Sequence, residues 1–101
     1  MDTDPCIRKL KALADSTRYR IVRELLAAPL TVGELAGRLR ASQYNVSKHL
    51  RILREAGIVA AHKEGKNVHC EVAAAFRQQL SRNQQVLDLG CCSFRFDSSP
   101  Q

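Results

Sequence analysis

Residues 42–57 read SQYNVSKHLRILREAG, and the fold turns on this stretch. Helical spacing puts Val46, Leu50, Leu53 and Gly57 on one face, at i, i+4, i+7 and i+11. Tyr44, Lys48, Arg51 and Glu55 point the other way, with Asn45 and Ser47 on the shoulders. Ser42 supplies a hydroxyl that can accept an orphan N–H of the first turn, and Gly57 supplies a stop. The spacing therefore predicts a helix with an apolar back and a polar, basic front. A front carrying Gln43, Tyr44, Asn45, Ser47 and Lys48 has the chemistry to read base edges in a DNA major groove. A solvated surface helix would look the same, so the flanking sequence has to decide.

Upstream, Thr31 and Glu34 form a capping-box pattern at the start of a short helix over residues 31–39. Val32, Leu35, Ala36 and Leu39 give that helix one fully apolar face. Arg40-Ala41 is then a tight turn, without the glycine often found between two such helices. Two short helices joined by so few residues outline a helix-turn-helix over residues 31–57. Further upstream, Asp4-Pro5 opens a short helix marked by Ile7, Leu10 and Ala14, with Leu13 beside them. Asp15-Ser16 caps another, with Ile21, Val22, Leu25 and Leu26 inside and Arg18, Arg20 and Arg23 outside. Pro29 ends it.

Downstream, residues 58–63 and 67–72 read as two strands, with Gly65 providing the positive φ of a hairpin turn. Val68, Cys70 and Val72 alternate with Asn67, His69 and Glu71. A hairpin after a reading helix, with Lys63 and Lys66 at its tip, is a wing over residues 58–72. Lysines there would hold phosphates and add affinity without sequence information. His62 and His69 lack paired ligand spacing and read as surface residues. Residues 73–89 are expected to form a final helix, with Ala73, Phe76, Leu80 and Leu87 near one face and a polar interruption over 81–85. A polar tail over residues 90–101 follows. The fold class is thus mainly α with a small β-hairpin, in the order α-α-α-α-β-β-α, as one domain over residues 1–101.

Composition agrees. With 101 residues, the chain is one small domain. Its 16 Lys and Arg against 10 Asp and Glu give +6, which suits a polyanionic partner, nucleic acid first. Aromatics make up 5% and Trp is absent, which argues against a stacking platform for single strands. No apolar run approaches the ~20 residues needed to span a bilayer. The opening MDTDPC lacks the apolar centre of a signal peptide. The expected location is cytoplasmic, where four cysteines are thiols, metal ligands or redox sensors rather than a disulfide framework.

Several blocks together resemble the ArsR/SmtB family of bacterial metal-sensing repressors. They are LADSTRYRIV over residues 13–22, Leu35-Ala36, SQ followed by VSKHL and LREAGIV over residues 42–59, and EGK over residues 64–66. The likeness runs from about Leu10 to Val72. It implies a winged-helix homodimer, held through the first helix and a C-terminal dimerisation helix over residues 73–89. It also implies repression of an operator in double-stranded DNA, relieved by an effector, and no enzymatic activity. Within that frame Gln43, Tyr44, Asn45 and Lys48 are the base-edge candidates. Ser47, Arg51, Lys63 and Lys66 are phosphate candidates. His49, on the flank of the buried arc, reads as a packed helix-turn-helix histidine.

The effector has to come from the site rather than the fold. Some family members bind zinc through acids and histidines on the last helix, but residues 73–89 contain Asp88 and no His. Others carry a Cys-x-Cys type cluster in the third helix, and residues 31–39 contain no Cys. That leaves Cys6, Cys70, Cys91 and Cys92. Cys91-Cys92 is the informative pair: a bond between them would be strained, since neighbouring Cα atoms are ~3.8 Å apart. Together they can donate to one soft ion. The family resemblance implies that the N-terminal segment lies near the dimer helices, which makes Cys6 the candidate third ligand, within or across protomers, and it suggests an arsenite- or antimonite-type site. Cys70, on the apolar side of a strand, suits a buried structural thiol. An alternative is the same fold sensing oxidants or reactive sulfur through a Cys6 bridge to Cys91 or Cys92. A thiol oxidoreductase lacks support, because there is no Cys-x-x-Cys.

Overall fold

The computed structural model describes residues 4–80 and 86–95. Helix α1 (Pro5–Leu13) is capped by Asp4, whose Oδ1 accepts the Cys6 N–H at 2.9 Å. Helix α2 (Ser16–Ala27) is capped by Asp15, which accepts the Arg18 N–H at 3.0 Å. Strand β1 (Leu30–Thr31) leads directly into helix α3 (Val32–Leu39). The capping box closes as its residues predict: Thr31 Oγ1 accepts from the Glu34 N–H at 3.1 Å, and Glu34 Oε1 accepts from the Thr31 N–H at 2.8 Å. Helix α4 (Gln43–Glu55) is capped by Ser42, whose hydroxyl accepts the Asn45 N–H at 3.0 Å. Between α3 and α4 the left-handed residue is Arg40, at φ 54°. The reversal therefore uses a position where a glycine would be easier.

Strands β2 (Val59–Glu64) and β3 (Asn67–Val72) form the hairpin, with Val59 opposite Val72 and Glu64 opposite Asn67. Gly65 holds the turn at φ 63°. Strand β1 adds to the other edge of β3, with Leu30 opposite Cys70, giving the order β1-β3-β2. This two-residue strand is invisible as a pattern, because Leu30 and Thr31 also read as the entry to α3.

The core lies where the apolar faces meet. Ile21, Val22 and Leu25 from α2, Leu35 from α3, Val46 and Leu53 from α4, and Ile58 are fully buried. Each aliphatic side chain removed from water in this way contributes about 1.5–3 kcal/mol before entropy is counted. The back of α4 is the predicted one, and its polar front stays outside.

The C-terminal part corrects the expectation. The predicted helix over residues 73–89 is one turn, α5 (Ala74–Arg77), with no side-chain cap at Ala73. Strands β4 (Val86–Asp88) and β5 (Ser93–Arg95) then pair antiparallel. Leu80 and Leu87 meet across an antiparallel bridge. Residues seven apart share a face on a helix, but they also meet when a chain doubles back, so their spacing could not distinguish the two. With no apolar residue over 81–85, a continuous helix would have had no stripe to bury there. Phe76 and Leu87 are still fully buried. The predicted tail is also ordered at its start, since residues 93–95 form β5. The interruption at 81–85 and the tail's last residues, 96–101, lie outside the described residues. A single turn cannot supply the long dimerisation helix that the resemblance implies. Among the described residues no helix is long and apolar enough to cross a membrane.

Candidate functional site

Helix α4 presents the predicted front. Gln43, Tyr44, Ser47, Lys48 and Arg51 are exposed and Asn45 is half-buried. Tyr44 keeps 77% of its surface exposed, high for an aromatic residue with no packing partner of its own in the core. Lys48 Nζ lies 6.0 Å from its ring centroid, at the outer limit of a cation–π contact. Arg51 reaches Glu55 at 3.5 Å in an exposed i,i+4 pair, worth at most about 0.5 kcal/mol, so it is free to turn toward a phosphate. Lys63 and Lys66 are exposed on the hairpin. These eight residues share α4 and the hairpin, while Cys6, Cys91 and Cys92 lie elsewhere.

What the sequence did not reveal is how α4 is held. Arg18, read as an outward-facing residue, keeps only 15% of its side chain exposed. Its Nε donates to the Ala12 carbonyl at 2.6 Å, and Nη1 lies 3.1 Å from His49 Nδ1 on α4. Asp15 Oδ1 lies 3.9 Å from the same His49 nitrogen. The Asp15 carboxyl is held below its ordinary value by the Arg18 backbone N–H, with the Arg18 and His49 charges adding to that against the cost of burial. Arg8 Nη2 donates to the Glu55 carbonyl at 3.4 Å. Helix α1 is thus tied to α4 at two points. The only sequence signal was the Asp15–Arg18 spacing, because His49 lies 31 residues from Arg18.

The second cluster is made of sulfur. Cys6, on the first turn of α1, and Cys91 and Cys92, at the β4–β5 turn, bring their Sγ atoms within 4.8 Å of one another. Cys6 and Cys91 are joined in a disulfide, with Cα atoms 6.2 Å apart. Cys92 remains a free thiol, half-buried beside them. The turn that carries the pair is shaped by Gly90 at φ 95°, by Asp88 Oδ1 accepting the Gly90 N–H at 2.9 Å, and by the Leu89 N–H donating to the Cys92 carbonyl. The pair thus sits on a hairpin, not at the end of a helix, and the three sulfurs meet within one chain. Cys70 is buried in the sheet, and burial pushes its thiol up.

The arrangement can be set against known proteins. Residues 15–61 match the family described as bacterial regulatory protein, arsR family. The solved structure of HlyU from Vibrio cholerae is 37% identical in sequence with a TM-score of 0.67, over 73% of this chain and 83% of that one. The chain belongs to the ArsR family. The curated transcriptional activator HlyU of Vibrio cholerae is 46% identical over 59 residues, 58% of this chain and 55% of the relative. The arsenical resistance operon repressor of Escherichia coli K12 is 44% identical over 64 residues, 62% of this chain and 55% of the relative. The match therefore spans about half the length of these curated relatives. A homodimeric winged helix-turn-helix DNA-binding domain from Mycobacterium bovis superposes with a TM-score of 0.68 at 28% identity, over 71% of this chain and 67% of that one. The winged helix-turn-helix of this ArsR-family chain is thus an expectation met. The family model stops at residue 61, before the hairpin closes and well before Cys91 and Cys92.

Proposed function

We propose that this chain is a DNA-binding transcriptional repressor that acts as a homodimer in the cytosol. It leaves its operator when a thiophilic ion of the arsenite or antimonite type binds the thiolates of Cys6, Cys91 and Cys92. Gln43, Tyr44, Asn45 and Lys48 read base edges, while Ser47, Arg51, Lys63 and Lys66 hold phosphate. The observation that carries the reading is the three-sulfur cluster, because a donor set without oxygen or nitrogen suits a soft ion. Once the disulfide is reduced by a dithiol, three thiols and arsenous acid form three As–S bonds and release three waters.

Coupling follows from the two ties on α1. An ion at the cluster fastens the first turn of α1 to the β4–β5 turn. Arg8 and Arg18 fasten the same helix to α4. An ion that fits one α1 position better than another therefore biases the reading helix. A coupling of about 1–3 kcal/mol, or roughly 5–150-fold in operator affinity, is typical of such linkage. By reciprocity, operator DNA weakens the ion's binding by the same factor.

The disulfide itself favours a second reading, in which the switch is oxidative. Two thiols then lose two protons and two electrons to a peroxide-class oxidant, closing Cys6 to Cys91. One solved relative is described as reduced HlyU from Vibrio cholerae.

The test is fluorescence anisotropy on a duplex that the reduced protein selects from a random pool. Arsenite should weaken binding of the reduced wild type. The variant carrying Cys91→Ser and Cys92→Ser should bind DNA normally and ignore arsenite. Release of that variant by arsenite would overturn the assignment. Release by peroxide alone would favour the oxidative reading. Lys48→Ala should weaken DNA binding and leave arsenite binding intact.

A further inference from the structure

The wing carries a group of side chains that neither the reading helix nor the cysteines use. His62 and His69 lie seven positions apart in sequence, on the two different strands of the hairpin. The hairpin register makes them direct cross-strand partners. Side chains so paired have Cβ atoms about 4.5–5.5 Å apart on one face of the sheet. The two rings stack, with centroids 5.4 Å apart and planes 15° from parallel. Glu64 follows His62 by two residues, so it shares that face. Its Oε1 lies 3.4 Å from His69 Nε2.

That last distance matters. Two donors held at ~2.0–2.1 Å from a tetrahedral ion are themselves roughly 3.3 Å apart. The Glu64–His69 pair already has this separation. His62 is exposed, so its ring can turn out of the stack and add a second nitrogen without disturbing the core. The remaining coordination positions open to water.

We propose that His62, His69 and Glu64 form a surface site for a borderline divalent cation of the zinc class. Imidazole nitrogens with one carboxylate select zinc, nickel or copper over magnesium and calcium. They also differ from the all-sulfur cluster, so the chain carries two sites of different softness. The wing site flanks Lys63 and lies on the same hairpin as Lys66. A dication there neutralises Glu64, which otherwise repels phosphate, and raises the positive charge of the wing. Its effect on DNA, which rests on the proposed operator binding, is to tighten the grip, opposite in sign to the thiol site.

The test is histidine ring NMR on the wild-type chain in its disulfide form, titrated with Zn2+ alone. The signals of His62 and His69 should move together and saturate at a single ion per chain. His49, engaged with Arg18 and away from the wing, should stay in place. His62→Ala should weaken the ion by roughly tenfold or more, and Glu64→Gln by less. Unmoved His62 and His69 signals, equal movement of all three histidines, or an unchanged His69 titration in His62→Ala would each overturn the site. DNA binding separates the second claim: Zn2+ should tighten it in the wild type and not in His62→Ala. Intact ring shifts with no change in DNA affinity would overturn the link to the wing's grip and leave the ion site standing.

Discussion

The segment over residues 31–72 and the segment over residues 73–95 obey different rules. In the first, local chemistry and tertiary packing agree at each step. Thr31 and Glu34 close a capping box, Ser42 caps the reading helix, and Gly65 turns the hairpin. In the second, four apolar residues at near-helical spacing end up on one short turn, a bridge and a strand. Consistency among signals, rather than the strength of any one of them, is what made the first segment readable. The second has no cap and no continuous stripe, so its shape is set by what it packs against.

The largest test of this contrast removes one buried leucine from each side. Leu53 and Leu87 are both fully buried. Leu53→Ala should cost about 3–5 kcal/mol and Leu87→Ala about 2–4 kcal/mol in urea unfolding. A Leu87→Ala cost under about 1 kcal/mol would detach the C-terminal hairpin from the cooperative core. Next in size is the covalent tie between the two segments. The Cys6–Cys91 bond spans 85 residues, and reduction should lower stability by about 3 kcal/mol. Cys6→Ser should abolish the difference between melting curves with and without reductant.

A smaller effect belongs to the caps. Asp15→Ala should cost about 1 kcal/mol at neutral pH. Asp15 and Glu34 are both held below their ordinary values, 3.8 and 4.5, Glu34 chiefly by the Thr31 backbone and hydroxyl. Their stabilisation is therefore complete above those values and is lost as pH falls through the lower native ones. The penalty of Asp15→Ala should hold from pH 7 down to its ordinary value of 3.8 and shrink as pH falls below it, and a constant penalty would remove the cap's charge from the account. The smallest effect is a matter of order. In the disulfide form, iodoacetamide should label Cys92 well before Cys70, whose thiol is buried and pushed up. Mass spectrometry of the peptides reads this directly.

Much of the exposed front of α4 was legible because it depends on which side of a helix a residue occupies. Val46, Leu50 and Leu53 are buried, so Tyr44, Lys48 and Arg51 must face outward. The thiol site was legible only as chemistry. Cys6, Cys91 and Cys92 could be nominated as soft donors, but nothing in the linear order says that the N-terminus meets the β4–β5 turn. Arg18 was misread as outward-facing for a related reason. Its neighbours on α2 are arginines that do face solvent, and its partners lie on α1 and α4. His62 and His69 were set aside because chelating motifs are sought at fixed local spacing, whereas a hairpin pairs residues at a spacing fixed by its turn.

By itself, the sequence determined the helix caps, the helix-turn-helix, the hairpin and the composition of the reading face. All of these are settled by groups within a few residues of one another, where hydrogen-bond geometry and side-chain periodicity act directly. Only the tertiary structure decided the pairing of Cys6 with Cys91, the Arg18–His49 tie, the stacked His62 and His69, and the replacement of the last helix by a β-hairpin. Those depend on contacts between distant parts of the chain. Closing each such loop costs entropy that only the assembled core can offset, so no short stretch of sequence contains the answer.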